Sequence, residues 1–389
     1  MNHRQSKAAK DLREIPKMAV TGDKKPMFIP GLELAEGFFR EAVSPILEKH
    51  VPDVEYSAAL IGPGSEVLGF DDSMSTDHHW GPRAMLFLRR PVLEAREREI
   101  GDLLSANLPN AFRGYPTNWT EPDPNDNGTQ RLANVTEGPI NHRVEMFTIN
   151  GFFKQYTGLD IRKPLRTADW LTLPWQRLRS ISAGRVFRDD LGLATIRDLL
   201  SWYPHDVWLY VLASCWSRIG EEEHLMGRAG LAGDDIGSSI IASRLVRDIM
   251  WLAFLMERVY PPYPKWFGRA FAELECAETL RPALSSVLSA TSWKKRDSGL
   301  AVAYQRIAEM HNRLGLTPAL SSEPSLFWGR PFNVIHGDRF ADALREAIRD
   351  ETVKAIAKRR LIGNVDMVSD NTDLLEDGTR RGALLALYD

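Results

Sequence analysis

The segment from Ala58 to Leu88 constrains this chain more than any other. Two apolar runs, Ala58-Ala-Leu-Ile61 and Ala84-Met-Leu-Phe-Leu88, have the length of buried strands and are bounded by glycine and small polar residues. Between them lies a polar stretch, Gly62 to Gly81, with three aspartates (Asp71, Asp72, Asp77), two adjacent histidines (His78, His79) and a Gly-Ser corner at Gly64-Ser65. A polar loop is thereby held between two buried strands. A third strand is expected over Val144-Glu-Met-Phe-Thr-Ile149, where one carboxylate, Glu145, interrupts an apolar run. Burying a carboxylate costs several kcal/mol unless it is paired or binds a cation. The pattern therefore predicts a divalent ion shared by Asp77, a neighbour and Glu145.

Gly64-Ser65, then Ser75-x-Asp77, then a distal strand carboxylate resembles the polymerase-β-like nucleotidyltransferase superfamily. Within it, the chain is similar to a bacterial domain-of-unknown-function family with a Gly-Ser…Gly-x-Asp-Asp…Ser-x-Asp-His pattern. Two further blocks carry the likeness: Tyr203 to Trp208, and Tyr263-Pro264-Lys265-Trp266, the latter without the family's spacer residue. The resemblance runs from about residue 28 onward. It implies an α+β fold, with a small mixed-sheet nucleotidyltransferase-like domain over residues 28–162 and a mainly α-helical domain over 163–389.

The activity implied by the resemblance moves a nucleoside monophosphate from a triphosphate, ATP being the leading choice, to a hydroxyl of a small molecule or macromolecule. Carried over residue by residue, Gly64, Ser65 and Ser75 would hold phosphate, and Asp77 and Glu145 would be catalytic. Asp77, His79 and Glu145 would bind Mg²⁺ or Mn²⁺, and Lys265, with Arg228 and Arg244 as weaker candidates, would face the triphosphate. Metal ions suit this chemistry because they neutralise charge developing on phosphoryl oxygens. Two departures stand out. His79 occupies the place of a second acidic residue, and imidazole suits zinc or manganese-like ions better than magnesium. Trp80-Gly-Pro82 interrupts the passage into the strand and predicts a bulge. The site then uses His79 with a softer metal, recruits Asp71 or Asp72, or has lost catalysis and serves nucleotide binding or regulation. Metal-dependent hydrolysis by Asp77, His78 and His79 is a third reading, which needs further histidine ligands nearby.

Elsewhere, Leu34 to His50 has helical spacing with a kink expected at Pro45, and Leu93 to Leu104 reads as a charged amphipathic helix. Ser105 to Asn141 is a long polar connection rich in Pro, Gly and Asn, in which Asp123 and Asp126 read as turn residues. Helical periodicity returns over Ile196–Leu200, Val207–Ile219, Ile236–Val259, Phe267–Glu278, Val302–Leu314 and Phe340–Arg360, with Asp234 or Asp235 capping the third of these. Trp202, Trp208, Trp216 and Trp251 sit at helical core spacing and are read as core packing. The tail after Val365 is expected to fold back onto the body.

A net charge of -3 argues against global attraction to nucleic acid and leaves only a local basic groove open. Cys215 and Cys276 lie in apolar helical context and read as reduced core residues of a cytoplasmic protein. No apolar run has the length of a membrane span. Residues 1–27 read as a mobile, mildly basic arm without the apolar core of a signal peptide. There is no nucleophile elbow, Cys-x-x-Cys pair, dinucleotide glycine fingerprint or complete Walker motif.

Overall fold

The computed structural model describes residues 27–388, so the expected N-terminal arm falls almost entirely outside the described residues. The chain is an α+β protein with a small mixed sheet followed by a mainly helical part. Four strands form the sheet: β1 (Tyr56–Leu60), β2 (Arg83–Leu88), β3 (Arg143–Phe147) and β4 (Arg185–Asp189), in the spatial order β3-β2-β1-β4. β1 is antiparallel to β2 and β4, while β2 and β3 are parallel, with Arg83 opposite Arg143 and Met85 opposite Glu145. The parallel pair requires a crossover. The helix Arg90–Asn107 and the long polar connection provide it.

The first three strands form where apolar runs were expected, and side-chain alternation sends their residues into two cores. Ala58, Leu60, Ala84, Leu86 and Val144 pack with Leu34, Phe38, Phe39 and Leu104 on one face. On the other, Ala59, Met85 and Phe87 join a core continuous with the helical part, through Phe152, Trp170, Leu178 and Trp208. The sheet thus crosses the expected boundary at residue 162, because β4 and the helix Trp175–Ala183 both belong to its surroundings.

Pro45 has the expected consequence for the first helical stretch. Gly31–Phe38 passes through a π-helical turn, Phe39–Val43, before Ser44–His50 continues with Pro45 in its first turn. A proline within a continuous helix lacks the N–H and crowds the carbonyl four residues back; a wider turn relieves both. The interruption at Trp80-Gly-Pro82 lies before β2, not within it, and the bulge occurs instead between Ala58 and Ala59, opposite β4.

The helical part is built on His205–Leu231 and Asp235–Met256, which pack against each other and against Trp293–Arg313 and Gly337–Ala347. Asp234 caps the second, its side chain accepting from the Gly237 N–H. Trp208, Trp216 and Trp251 are buried on these helices, as their spacing required, whereas Trp202 lies in the bend before the first of them and is half-buried. The tail does fold back. Tyr388 is buried, with its hydroxyl between the carbonyls of Leu171 (3.2 Å) and Gly363 (2.9 Å). Both cysteines are free thiols. Among the described residues, no helix is long and apolar enough to cross a membrane.

Candidate functional site

A cleft of about 950 Å³ opens where the cleft-facing side of β2 and β3 meets the helices Ile149–Thr157 and Trp175–Ala183, the start of Pro264–Phe271, and the tail. Gly64, Ser65, Ser75, Asp77, His79, Glu145 and Lys265 all line it. Arg228 does not: it is exposed on the helix His205–Leu231, away from the cleft lining. Arg244, the other weaker candidate, is paired with Glu222.

The Gly-Ser corner is set by a buried ion pair that the sequence reading missed. Arg83, at the start of β2, donates from Nε (2.9 Å) and Nη2 (2.6 Å) to Glu66 Oε1, and from Nη2 to the Pro63 carbonyl at 2.8 Å. Both partners are almost fully buried. The buried carboxylate of this site is thus Glu66, satisfied by a guanidinium. Ser65 then closes a tight turn, its carbonyl accepting from the N–H groups of Leu68 and Phe70.

Glu145 departs from expectation. Its side chain is 42% exposed and faces the cleft, so burial does not demand a cation beside it. The run Val144–Ile149 looks continuously apolar, yet only Val144 and Met146 join the core behind the sheet. Arg143, Glu145 and Phe147 turn to the cleft. The nearest cation to Glu145 is Arg143, whose Nε is 4.0 Å away.

Arg143 also fixes His79. Its Nη1 donates to His79 Nδ1 at 2.6 Å, and its guanidinium lies 5.1 Å from the centre of the Trp119 ring. Burial, and then the Arg143 charge, push the imidazole down to about 4, so His79 is neutral at pH 7 with its Nδ1 lone pair committed to an N–H donor. Asp77 is turned elsewhere. It is exposed and meets His78 Nδ1 at 2.8 Å. The expected set Asp77, His79 and Glu145 therefore shares one cleft without converging on one point. Among the described residues, no three His, Cys, Asp or Glu side chains come together as a group that could hold a metal ion. The donor set present does not fit a divalent ion.

Asp71 does not supply a missing ligand. Its Oδ2 accepts from the Gly31 N–H (2.6 Å) and Trp80 Nε1 (2.9 Å), tying the loop to the first helix. Asp72 and Ser75 form a local turn, with Met74 N–H on Asp72 Oδ1 and Asp72 N–H on Ser75 Oγ.

The helical part supplies the opposite wall. Lys265 sits in the first turn of Pro264–Phe271 with its ammonium 5.1 Å from the Trp266 ring centre. It therefore lies at the start of its own helix, at the opposite end from that helix's terminal carbonyls. Arg269 donates to the Phe70 carbonyl at 3.0 Å and covers the Phe70 ring, which stacks on Trp266. Arg177 lies over Tyr156 and donates to the tail carbonyls of Leu375 and Glu376. Sequence reasoning missed Glu66, Arg83, Arg143, Arg177 and Arg269. The arginines flanking the strands, Arg83 and Arg143, were the available signal, since a charge at the mouth of an apolar run must find a partner or a cleft.

Comparison with known proteins adds little to this geometry. A family described as a domain of unknown function (DUF4037) matches residues 170–267, a span that holds Lys265 and Arg228 but none of the residues between Gly64 and Glu145. The crystal structure of a nucleotidyltransferase-like protein from Exiguobacterium sibiricum 255-15 is similar over 89% of this chain and 89% of that one, at 11% identity and a TM-score of 0.33. That likeness carries no residue correspondence into the cleft. No curated protein matches the chain.

Proposed function

We propose that the chain binds a nucleoside triphosphate, ATP first among the candidates, in the cleft between its sheet and its helical part. One observation carries this reading: the Gly64-Ser65 corner, the arginines Arg143 and Arg177, and a wall of stacked aromatic rings line the same cavity. Arg83 and Glu66 neutralise each other at depth, which leaves Arg143 and Arg177 as the less exposed net charges, whereas Asp72, Asp77 and Glu376 are exposed at the rim. That gradient favours an anionic tail at depth. Guanidinium groups present paired donors to phosphate oxygens, and Lys265 adds a point charge on the opposite wall. Trp266 and Tyr263 offer flat apolar faces for a base or sugar. The resemblance at Gly64-Ser65 agrees with phosphate at that corner.

A second reading keeps catalysis, with nucleotidyl transfer to a hydroxyl and Asp77 and Glu145 as its carboxylates. It is favoured by both residues lining the cleft with exposed side chains. A single panel separates the two readings. The full chain is incubated with α-labelled ribonucleoside triphosphates and magnesium, manganese or zinc, and bound nucleotide, transferred label and released pyrophosphate are measured. Saturable binding without pyrophosphate release is the outcome expected. Label transfer that Asp77→Ala abolishes would establish the second reading, and no binding of any triphosphate would end the first.

A further inference from the structure

The surface that β2 and β3 turn to the cleft carries three register pairs, Arg83 with Arg143, Met85 with Glu145 and, at its apolar end, Phe87 with Phe147. Its polar end therefore offers two guanidinium groups, a thioether and one carboxylate. Arg83 is consumed by Glu66 and Pro63. Arg143 is placed differently. It is the cation nearest both His79 and Glu145, two of the three side chains expected to ligate a metal. Its side chain keeps 17% exposure, so part of the fork reaches the cavity. The buried Trp119 ring lies against its guanidinium and holds it there.

A cation entering among His79, Glu145 and Asp77 would meet this fixed positive charge within hydrogen-bonding distance of one ligand. It would also have to remove a guanidinium from the Nδ1 of His79. A triphosphate entering the same space meets a donor fork of the right sign and geometry.

We infer that this cleft binds its nucleoside triphosphate without a divalent ion, with Arg143 neutralising phosphate charge where a metal would otherwise stand. The inference rests on the nucleotide-binding reading above and names the ligand's form: the metal-free polyphosphate. Arg143 is a binding residue here, and His79 and Trp119 position it.

The test titrates the full chain with ATP, GTP, CTP and UTP by calorimetry, first in EDTA and then in excess MgCl₂ or MnCl₂. The best-bound triphosphate should bind in EDTA, and its apparent affinity should weaken by about tenfold or more in excess metal, which complexes the free polyphosphate; equal or tighter binding in metal overturns the inference. Arg143→Met should weaken binding in EDTA by about tenfold or more. Binding seen only with added metal overturns the inference and leaves the nucleotide reading standing. An unchanged affinity in Arg143→Met also overturns it. No binding in either condition removes the reading itself. A separate titration of the wild type with MnCl₂ alone, followed by the free-ion paramagnetic signal, is independent of any variant's folding. Saturable Mn²⁺ uptake lost in Asp77→Ala would overturn the inference; no such uptake is expected. The double variant His79→Asp, Arg143→Met should gain Mn²⁺ binding, since it replaces a committed imidazole with a carboxylate and removes the competing charge.

Discussion

The Arg83 guanidinium lies directly against the backbone of Gly64. A methyl group added at Gly64 would sit 2.6 Å from Arg83 Nη2 and 2.6 Å from Glu66 Oε2, at a residue whose φ is +135°. Both facts demand glycine. Gly64→Ala should cost about 1–3 kcal/mol from the backbone conformation alone, with further loss from displacing the ion pair. Thermal unfolding should show a clear fall in Tm, and nucleotide affinity should fall with it because the corner moves.

The Glu66–Arg83 pair should behave as one unit. Removing either partner leaves a buried charge alone, so Glu66→Leu and Arg83→Met should each destabilise by about 3–5 kcal/mol. The double variant should recover much of that loss, giving a coupling energy that chemical denaturation can measure. It should still bind triphosphate poorly, because the Pro63 carbonyl has lost its donor and the corner keeps only its backbone hydrogen bonds. Additive single losses would show that the pair does not support this loop.

These two residues also show where the sequence stops being informative. Three strands, the long helices and the kink at Pro45 were legible because burial imposes periodicity and proline imposes a local fault. Which charges meet across a loop is not periodic, so the pairing of Glu66 with Arg83 and the use of Asp71 by Gly31 and Trp80 were invisible. β4 was missed for a related reason. It is an edge strand whose Arg185, Arg188 and Asp189 face solvent or local partners, which blurs its alternation. Glu145 was located correctly in a strand but assigned a buried environment, since an apolar run does not reveal that one of its faces lines a cleft. The cleft residues from the C-terminal part depend on tertiary packing and had no local signature beyond the stiff Tyr263-Pro264-Lys265-Trp266 segment.

Asp366 gives a pH dependence of defined sign. The residue is half-buried, its carboxyl accepts the Trp175 N–H at 2.9 Å, and desolvation pushes it up to about 7 from an ordinary 3.8. The folded chain then holds a proton that the unfolded chain has released, so this group's contribution is complete below the unfolded value. It is lost as pH rises through about 7. Asp366→Asn keeps an acceptor oxygen and cannot ionise. The variant should gain stability relative to wild type as pH is raised from about 4 to about 8. A stability difference constant across that range would show that Asp366 does not carry the shift.

Glu145→Gln separates the roles left open for that side chain. Glu145 stands in the cleft as a partly exposed carboxylate near Arg143, and a bound triphosphate would share the space with it. Like charges repel, so replacing the carboxylate by a neutral amide should tighten triphosphate binding in EDTA by about threefold to tenfold. The gain should shrink in high salt, because a half-exposed charge is screened by mobile ions. A metal ligand would behave in the opposite way: its loss would weaken binding in MgCl₂ and leave binding in EDTA unchanged. The two results have opposite signs in the same calorimetric titration, so one variant measured with and without metal decides whether Glu145 opposes the phosphate directly or holds a cation for it.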